Sequence, residues 1–181
     1  FLDADDLWRP QKLAMQMDLL ERQPEIGLVF SWAQAFYADR RSPYLLGQDF
    51  ADTAGHAVFS GLLQGKSLPT LTVVADRAAV IRAGLFDPSI AIGEDWDLWL
   101  RLTLHCNVAV VPAVLADYRL GGKFLPAAMA HTRMPDCRVR SVKRVFREIA
   151  ADPSLVELAK LEQQALALAW WRGCLVDYAV G

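Results

Sequence analysis

Two carboxylate clusters are the parts of this chain whose residue types and spacing bear most directly on chemistry. The first is Asp3-Ala4-Asp5-Asp6. In a strand, Asp3 and Asp5 project from one face with Cα atoms ~6.6 Å apart. Two such carboxylates repel each other unless a positive charge sits beside them. A hard divalent cation such as Mg²⁺ or Mn²⁺ answers that need, because it takes oxygen ligands and shares its sphere with substrate phosphates. The competing reading is a solvated acidic turn ahead of a helix. The second cluster is Gly93-Glu94-Asp95-Trp96-Asp97-Leu98-Trp99. Three acids sit there where a helix begins, and the positive end of the helix favours their ionised forms. An ionised carboxylate can take a proton from an alcohol. Gly93 permits a sharp turn, and Trp96 and Trp99 offer flat apolar walls. The competing reading is a helix cap followed by core tryptophans.

The elements that must position these residues follow from pattern. Phe1 to Leu7 reads as a strand end running into the acidic turn. Pro10 suits a first helical turn. Leu13, Met17 and Leu20 then recur at helical spacing, with Lys12, Asp18, Glu21 and Arg22 assigned to the wet face. Ile26 to Tyr37 reads as a strand, Asp39 to Pro43 as a polar turn and Gly55 to Leu63 as a short helix. Leu71 to Ala75 reads as a strand, and Asp76 caps a helix from Arg77 to Ala83 that Gly84 ends. A helix from about Trp96 to His105 follows, then strands Val108 to Val111 and Val114 to Tyr118 around Pro112. Beyond Gly121-Gly122 the chain reads as helical, Asp136 to Ala151 and Ser154 to about Tyr178. An apolar stripe runs through Val139, Val142, Val145, Phe146 and Ile149, and a second through Leu155, Leu158, Leu161, Ala165, Leu168 and Trp171. These stripes should pack on the body or on a second copy. The organisation expected is an α/β body over residues 1–121 and a helical tail over 122–181.

Composition removes several classes of function. Hydrophobic residues make up 54% of the 181, which excludes a disordered chain. A formal net charge of -2 provides no basic field for nucleic acid. The basic residues from Arg133 through Arg147 read as a solvated helix face. Cys106, Cys137 and Cys174 are widely spaced, which fits a reducing, cytoplasmic setting. No stretch of about 20 clean apolar residues is present to span a bilayer. His56, His105 and His131 form no HxxxH or triad pattern, and there is no GxGxxG, P-loop or GxSxG.

Taken in order, the motifs resemble those of family 2 glycosyltransferases. Phe1-Leu2-Asp3-Ala4-Asp5-Asp6-Leu7-Trp8-Arg9-Pro10-Gln11-Lys12-Leu13 is similar to the family's metal-binding DxD region. Leu85-Phe86-Asp87 followed by Gly93 to Leu102 resembles its acceptor-side motif, and Tyr118-Arg119 its later Y-R element. The resemblance runs from Phe1 to about Leu120 and implies part of a GT-A fold. It also implies inverting, metal-dependent transfer of a sugar from a nucleotide-sugar donor to a hydroxyl on a saccharide or lipid-linked acceptor. Asp5 would be a direct metal ligand, with Asp3 at the ribose or the metal's water shell. Asp95 would be the general base, and Glu94 and Trp96 would shape the acceptor pocket. Leu120-Gly121-Gly122 stands where many relatives place a histidine, so a third ligand has no clear source, His131 being the nearest substitute. The chain opens at the DxD region, so the family's nucleotide-binding half is expected upstream and the isolated chain is expected to be inactive. Two other readings stand beside this one. One is a binding or assembly module that keeps a transferase fold. The other is an aspartyl-nucleophile phosphatase using Lys66 and Glu94-Asp95. Self-association and a peripheral membrane contact complete the partners considered.

Overall fold

The computed structural model describes residues 1–38, 40–50, 53–54, 56–120 and 134–180, with the side chains of 134–135 and 173–180 left aside. Its centre is a pair of long parallel strands. β1 is Leu7–Trp8, α1 is Lys12–Arg22, β2 is Ile26–Tyr37 and β3 is Arg40–Leu46. α2 (Ala57–Leu63) leads to a 3-10 turn at Thr70–Thr72, to β4 (Val74–Ala75) and to α3 (Arg77–Arg82). α4 (Glu94–His105) and β5 (Asn107–Arg119) complete the body. α5 (Met134–Ala151), a 3-10 segment (Pro153–Leu161) and α6 (Glu162–Val180) form the helical tail.

β2 pairs with β5 in parallel, and β1, β3 and β4 join them antiparallel, so the sheet is mixed. Each long strand is buried on both faces, as a parallel pair flanked by helices requires. Leu28, Phe30 and Val108 point into one core with Leu98, Trp99 and Leu102 of α4. Val29, Ala109, Val111 and Leu115 face the other way, against Leu19 and Leu20 of α1. The molecule is therefore α/β, a mixed sheet flanked by helices with a helical tail, an architecture compatible with part of a GT-A-like fold. Val142, Val145, Phe146 and Ile149 of α5 are buried in the same cluster as α4, so the first tail stripe packs on the body. On α6 the buried positions are Ala165 and Ala169, while Trp171 turns to solvent, contrary to its expected place in the second stripe.

Further local expectations need correction, among them the strand read at Leu71 to Ala75, which is the end of the 3-10 turn Thr70–Thr72 followed by the short strand Val74–Ala75. Asp3 and Asp5 do not lie in a strand: they belong to a turn that precedes β1. The segment read as a polar turn at Asp39 to Pro43 is largely strand β3, an edge strand that tolerates Arg40, Arg41 and Pro43 because its outer side needs no ladder. The two strands read around Pro112 are one strand, β5, with the register shifting between the Ser31 and Trp32 pairings. On α1 the wet face holds Asp18, Glu21 and Arg22 and the dry face Leu20 as read, but Lys12 exchanges places with Leu13 and Met17. Leu13 and Met17 are exposed, whereas Lys12 and Gln16 are fully buried.

The reason for that exchange is a polar seam beneath the helix. Gln16 Nε2 donates to the Thr72 carbonyl at 2.8 Å, and Lys12 Nζ donates to Gln16 Oε1 at 2.6 Å. The Lys12 ammonium also lies 4.4 Å from the centre of the Trp8 ring. Trp8 Nε1 donates to the Leu71 carbonyl at 2.8 Å. The carbonyls of the Thr70–Thr72 turn thus find donors on α1 and β1 that Leu and Met cannot supply. No carboxylate pairs with Lys12, and burial lowers its pKa from 10.5 to about 8. Between those two values the unfolded chain holds a proton that the folded chain has released, so this group makes stability rise as pH rises from about 8 to 10.5. The expected gain is on the order of 3 kcal/mol. Urea unfolding of the wild type and Lys12→Met across that window should show the rise only in the wild type; parallel curves would contradict it.

Candidate active site

The acidic turn is fastened to the end of β5. Asp6 is buried, and its Oδ1 accepts the Arg119 backbone N–H at 2.8 Å. Arg119 Nε donates to the Asp5 carbonyl at 2.8 Å, and the guanidinium stacks 4.4 Å from the centre of the Phe36 ring. Arg119 therefore holds the turn by its backbone, leaving the Asp5 and Asp3 side chains free of hydrogen bonds and ion pairs among the described residues. Asp5 is half-buried and Asp3 exposed. Burial is the main cause that raises the Asp6 pKa, with Asp5 and Asp3 adding to it and the Arg119 bond opposing. Asp6 Oδ2 is buried without a partner. Farther back, Asp117 joins strands: Arg9 donates to it at 2.7 Å and Arg41 at 3.3 Å. Burial alone would raise Asp117, but the Arg9 hydrogen bond and the two positive charges hold it below the usual range.

The second cluster starts at Gly93, whose φ of +75° is left-handed and favours glycine, with open space where a Cβ would stand. The turn aims the first residues of α4 at the same region. Asp95 Oδ1 accepts the Trp96 N–H and Oδ2 accepts the Thr70 hydroxyl, both at 2.6 Å. Thr70 opens the 3-10 turn that also holds Trp8 and Gln16, so one short segment ties β1, α1 and α4 together. Glu94 is exposed yet crowded at its carboxyl: partial desolvation, then repulsion from Asp95 and Asp3, raises its pKa. Trp96 is buried, its Nε1 donating to the Leu62 carbonyl, and the Arg138 guanidinium lies 4.8 Å from its ring centre. Trp99 is core, met edge-on by Phe1 and Phe86.

Tyr118, at the end of β5, feels the charge of both clusters. Burial first raises its phenol pKa, and then the charges of Asp6, Asp5, Asp3 and Asp95 all push it further in the same direction. The two clusters are joined through the Thr70–Thr72 turn, which holds Trp8 of β1 and Asp95 of α4. Asp97, in contrast, is a structural acid: it is fully buried against Arg101. Among the described residues no group of three or more His, Cys, Asp and Glu is arranged to hold a metal. His131 lies outside those residues. Lys66 is engaged with the Asp49 carbonyl at 2.7 Å and the Phe50 ring.

This chain is similar to proteins named as glycosyltransferases. It is 28% identical over 122 residues to an uncharacterized glycosyltransferase of Rickettsia bellii, covering 67% of this chain and 17% of that protein. It is 24% identical over 130 residues to an uncharacterized glycosyltransferase of Rickettsia conorii, covering 67% of this chain and 19% of that one. The chain therefore spans less than a fifth of the length of these relatives. No family model matches. These likenesses support a general glycosyltransferase relationship. Among the described residues no helix is long and apolar enough to cross a membrane.

Sequence pattern did not single out Thr70 or Arg138. No motif marks a lone threonine, and Arg138 sits in a basic run that reads as solvated. The Asp-rich turn and the Tyr118-Arg119 pair were legible, although not the way Arg119 fastens one to the other.

Proposed function

We propose that this chain carries the metal-side and acceptor-side residues of a family 2-type, GT-A glycosyltransferase that inverts configuration at the transferred sugar. The observation that carries the reading is that the Thr70–Thr72 turn ties β1, which follows the acidic turn, to Asp95 of α4, while Phe1 packs on Trp99 of the same helix. Asp95 takes the proton of the acceptor hydroxyl as that oxygen forms its bond to the anomeric carbon and the bond to the donor phosphate breaks. Thr70 and the Trp96 N–H hold the Asp95 carboxylate in one orientation. Glu94 and the Trp96 region border the acceptor.

Asp5 and Asp3 suit a hard divalent ion, Mg²⁺ or Mn²⁺. They offer oxygen donors without other partners, next to a buried Asp6 oxygen that is also unpartnered. Such an ion is normally completed by substrate phosphates rather than by a protein cage. When bound, it neutralises charge on the leaving diphosphate. A calorimetric titration of nucleoside diphosphates with and without Mn²⁺ tests the assignment. Binding should require Mn²⁺ and weaken about tenfold or more in Asp5→Asn, since even outer partners of metal ligands act on that scale. Asp95→Asn should leave it unchanged. Metal-independent binding, or equal loss in both variants, would overturn the assignment.

A further inference from the structure

Arg138 is half-buried on α5, and it differs from its neighbours there. Arg140 donates to the Ser89 carbonyl, Arg144 pairs with Asp87, and Arg147 donates to the Lys143 carbonyl. Arg138 has no hydrogen bond or ion pair among the described residues, and its Nε is buried without a partner. Its guanidinium is held over the Trp96 ring, which fixes the plane of the fork but satisfies none of its N–H groups. By comparison Arg101, the other buried guanidinium, donates to Asp97, Ala83 and Leu85. Among the described residues the charges acting on Arg138 are Arg172, which repels it, and Asp95, which attracts it. Asp95 already accepts two hydrogen bonds. Arg172 in turn spends one nitrogen on the Gly65 carbonyl at 3.0 Å. Arg138 thus presents an unsatisfied guanidinium against the first turn of α4, where Trp96 is the next residue after the candidate base.

A desolvated, planar donor fork with no partner is matched by an oxyanion that can take two N–H bonds at once. A phosphate monoester supplies those oxygens with up to two negative charges, which also offset the repulsion from Arg172. We infer that Arg138 is a binding residue for a phosphate group on the acceptor, placing the hydroxyl of a phosphorylated acceptor next to Asp95. This rests on the reading of Asp95 as the acceptor-side base. It adds the class of acceptor, an anionic one, and it gives the tail helix a part in the site. The same chemistry exists in the donor's diphosphate, so the test must separate the two sources.

Glycerol 3-phosphate, with glycerol and glycerate as controls, should be titrated into the chain by calorimetry at constant ionic strength. The phosphate ester should bind without added metal, and neither control should match it. Binding should fall by about tenfold or more in Arg138→Gln, the scale of a lost charged hydrogen bond, and stay unchanged in Arg147→Gln, an exposed arginine on the same helix. Arg138→Lys, which keeps the charge without the fork, should fall in between. Should Arg138→Gln fail to fold, the indole N–H resonance of Trp96 in the wild type decides, and it should move on titration. Unchanged binding in Arg138→Gln, equal binding of glycerate, or a still Trp96 resonance would overturn the proposal. So would an Arg138→Gln defect confined to Mn²⁺-dependent nucleoside diphosphate binding, because that assigns Arg138 to the donor. Loss of Mn²⁺ dependence with glycerol 3-phosphate binding intact would instead count against the metal assignment alone.

Discussion

Asp95→Asn in the intact enzyme is expected to lower transfer by about 10² to 10⁴, the range that a positioned general base contributes. The variant preserves shape. Thr70 now donates its hydroxyl to Asp95 Oδ2, while the Trp96 N–H occupies Oδ1. An asparagine can keep its single acceptor on the Trp96 N–H and turn its amide toward Thr70, whose hydroxyl can rotate to accept. The geometry therefore survives while the proton acceptor is lost. The fall should appear in kcat, with KM for the donor little changed, which marks an interaction made only as the reaction proceeds. A pre-steady-state assay with a panel of nucleotide sugars reads this directly. Residual transfer within a few-fold of wild type would remove Asp95 from the catalytic role.

The second large effect concerns stability. Arg101 is 1% and Asp97 0% exposed, and the two pair at 2.5 Å one turn apart on α4. Arg101 also donates to the Ala83 and Leu85 carbonyls, so it clasps the loop between α3 and α4 to the helix. That loop needs clasping, because Gly84 and Leu85 both have positive φ. Arg101→Met removes the counter-charge and leaves Asp97, whose Oδ1 is already without a partner, as an isolated buried acid. Breaking a buried pair in this way costs about 3–5 kcal/mol. For a domain of this size that is a fall in Tm of roughly 6–20 °C. Replacing both partners with apolar residues should recover much of the loss, since the penalty lies in the orphaned charge. Thermal unfolding of the single and double variants checks this. A double variant as unstable as the single one would mean that the carbonyl clasps, not the ion pair, carry the stability.

The sequence was most readable where one physical signal dominated. β2 follows from a run of β-branched and aromatic residues, and the observed strand is Ile26–Tyr37 as read. The start of α3 follows from Asp76, whose side chain accepts the Ala79 N–H at 2.7 Å. The readings failed where a neighbour distant in sequence set the environment. Gln16 is buried because the Thr70–Thr72 turn presents a carbonyl to it, and Lys12 because Gln16 accepts its ammonium; no periodicity within α1 contains that information. β3 looked like a turn because its charges are those of an edge, and its place depends on Arg41 reaching Asp117 across the sheet. The site divides the same way. The carboxylates announce themselves by spacing. Their relative position, the Thr70 bond to Asp95 and the stacking of Arg138 on Trp96 are products of the fold.

The parallel pairing of β2 with β5 has a consequence for how the molecule comes into being. Ile26 meets Asn107 and Phe36 meets Arg119, so every rung of that ladder closes a loop of about 80 residues. Contacts of such high sequence separation must be paid for in chain entropy before they return any energy, and they slow folding. The helices can begin forming earlier, from local signals. Among the described residues Asp5 and Asp6 of the acidic turn are fastened to the end of β5, through Arg119, once that strand is in register. The constellation of carboxylates is thus a late product of the folding reaction. No partly folded species that lacks the β2–β5 ladder can assemble it.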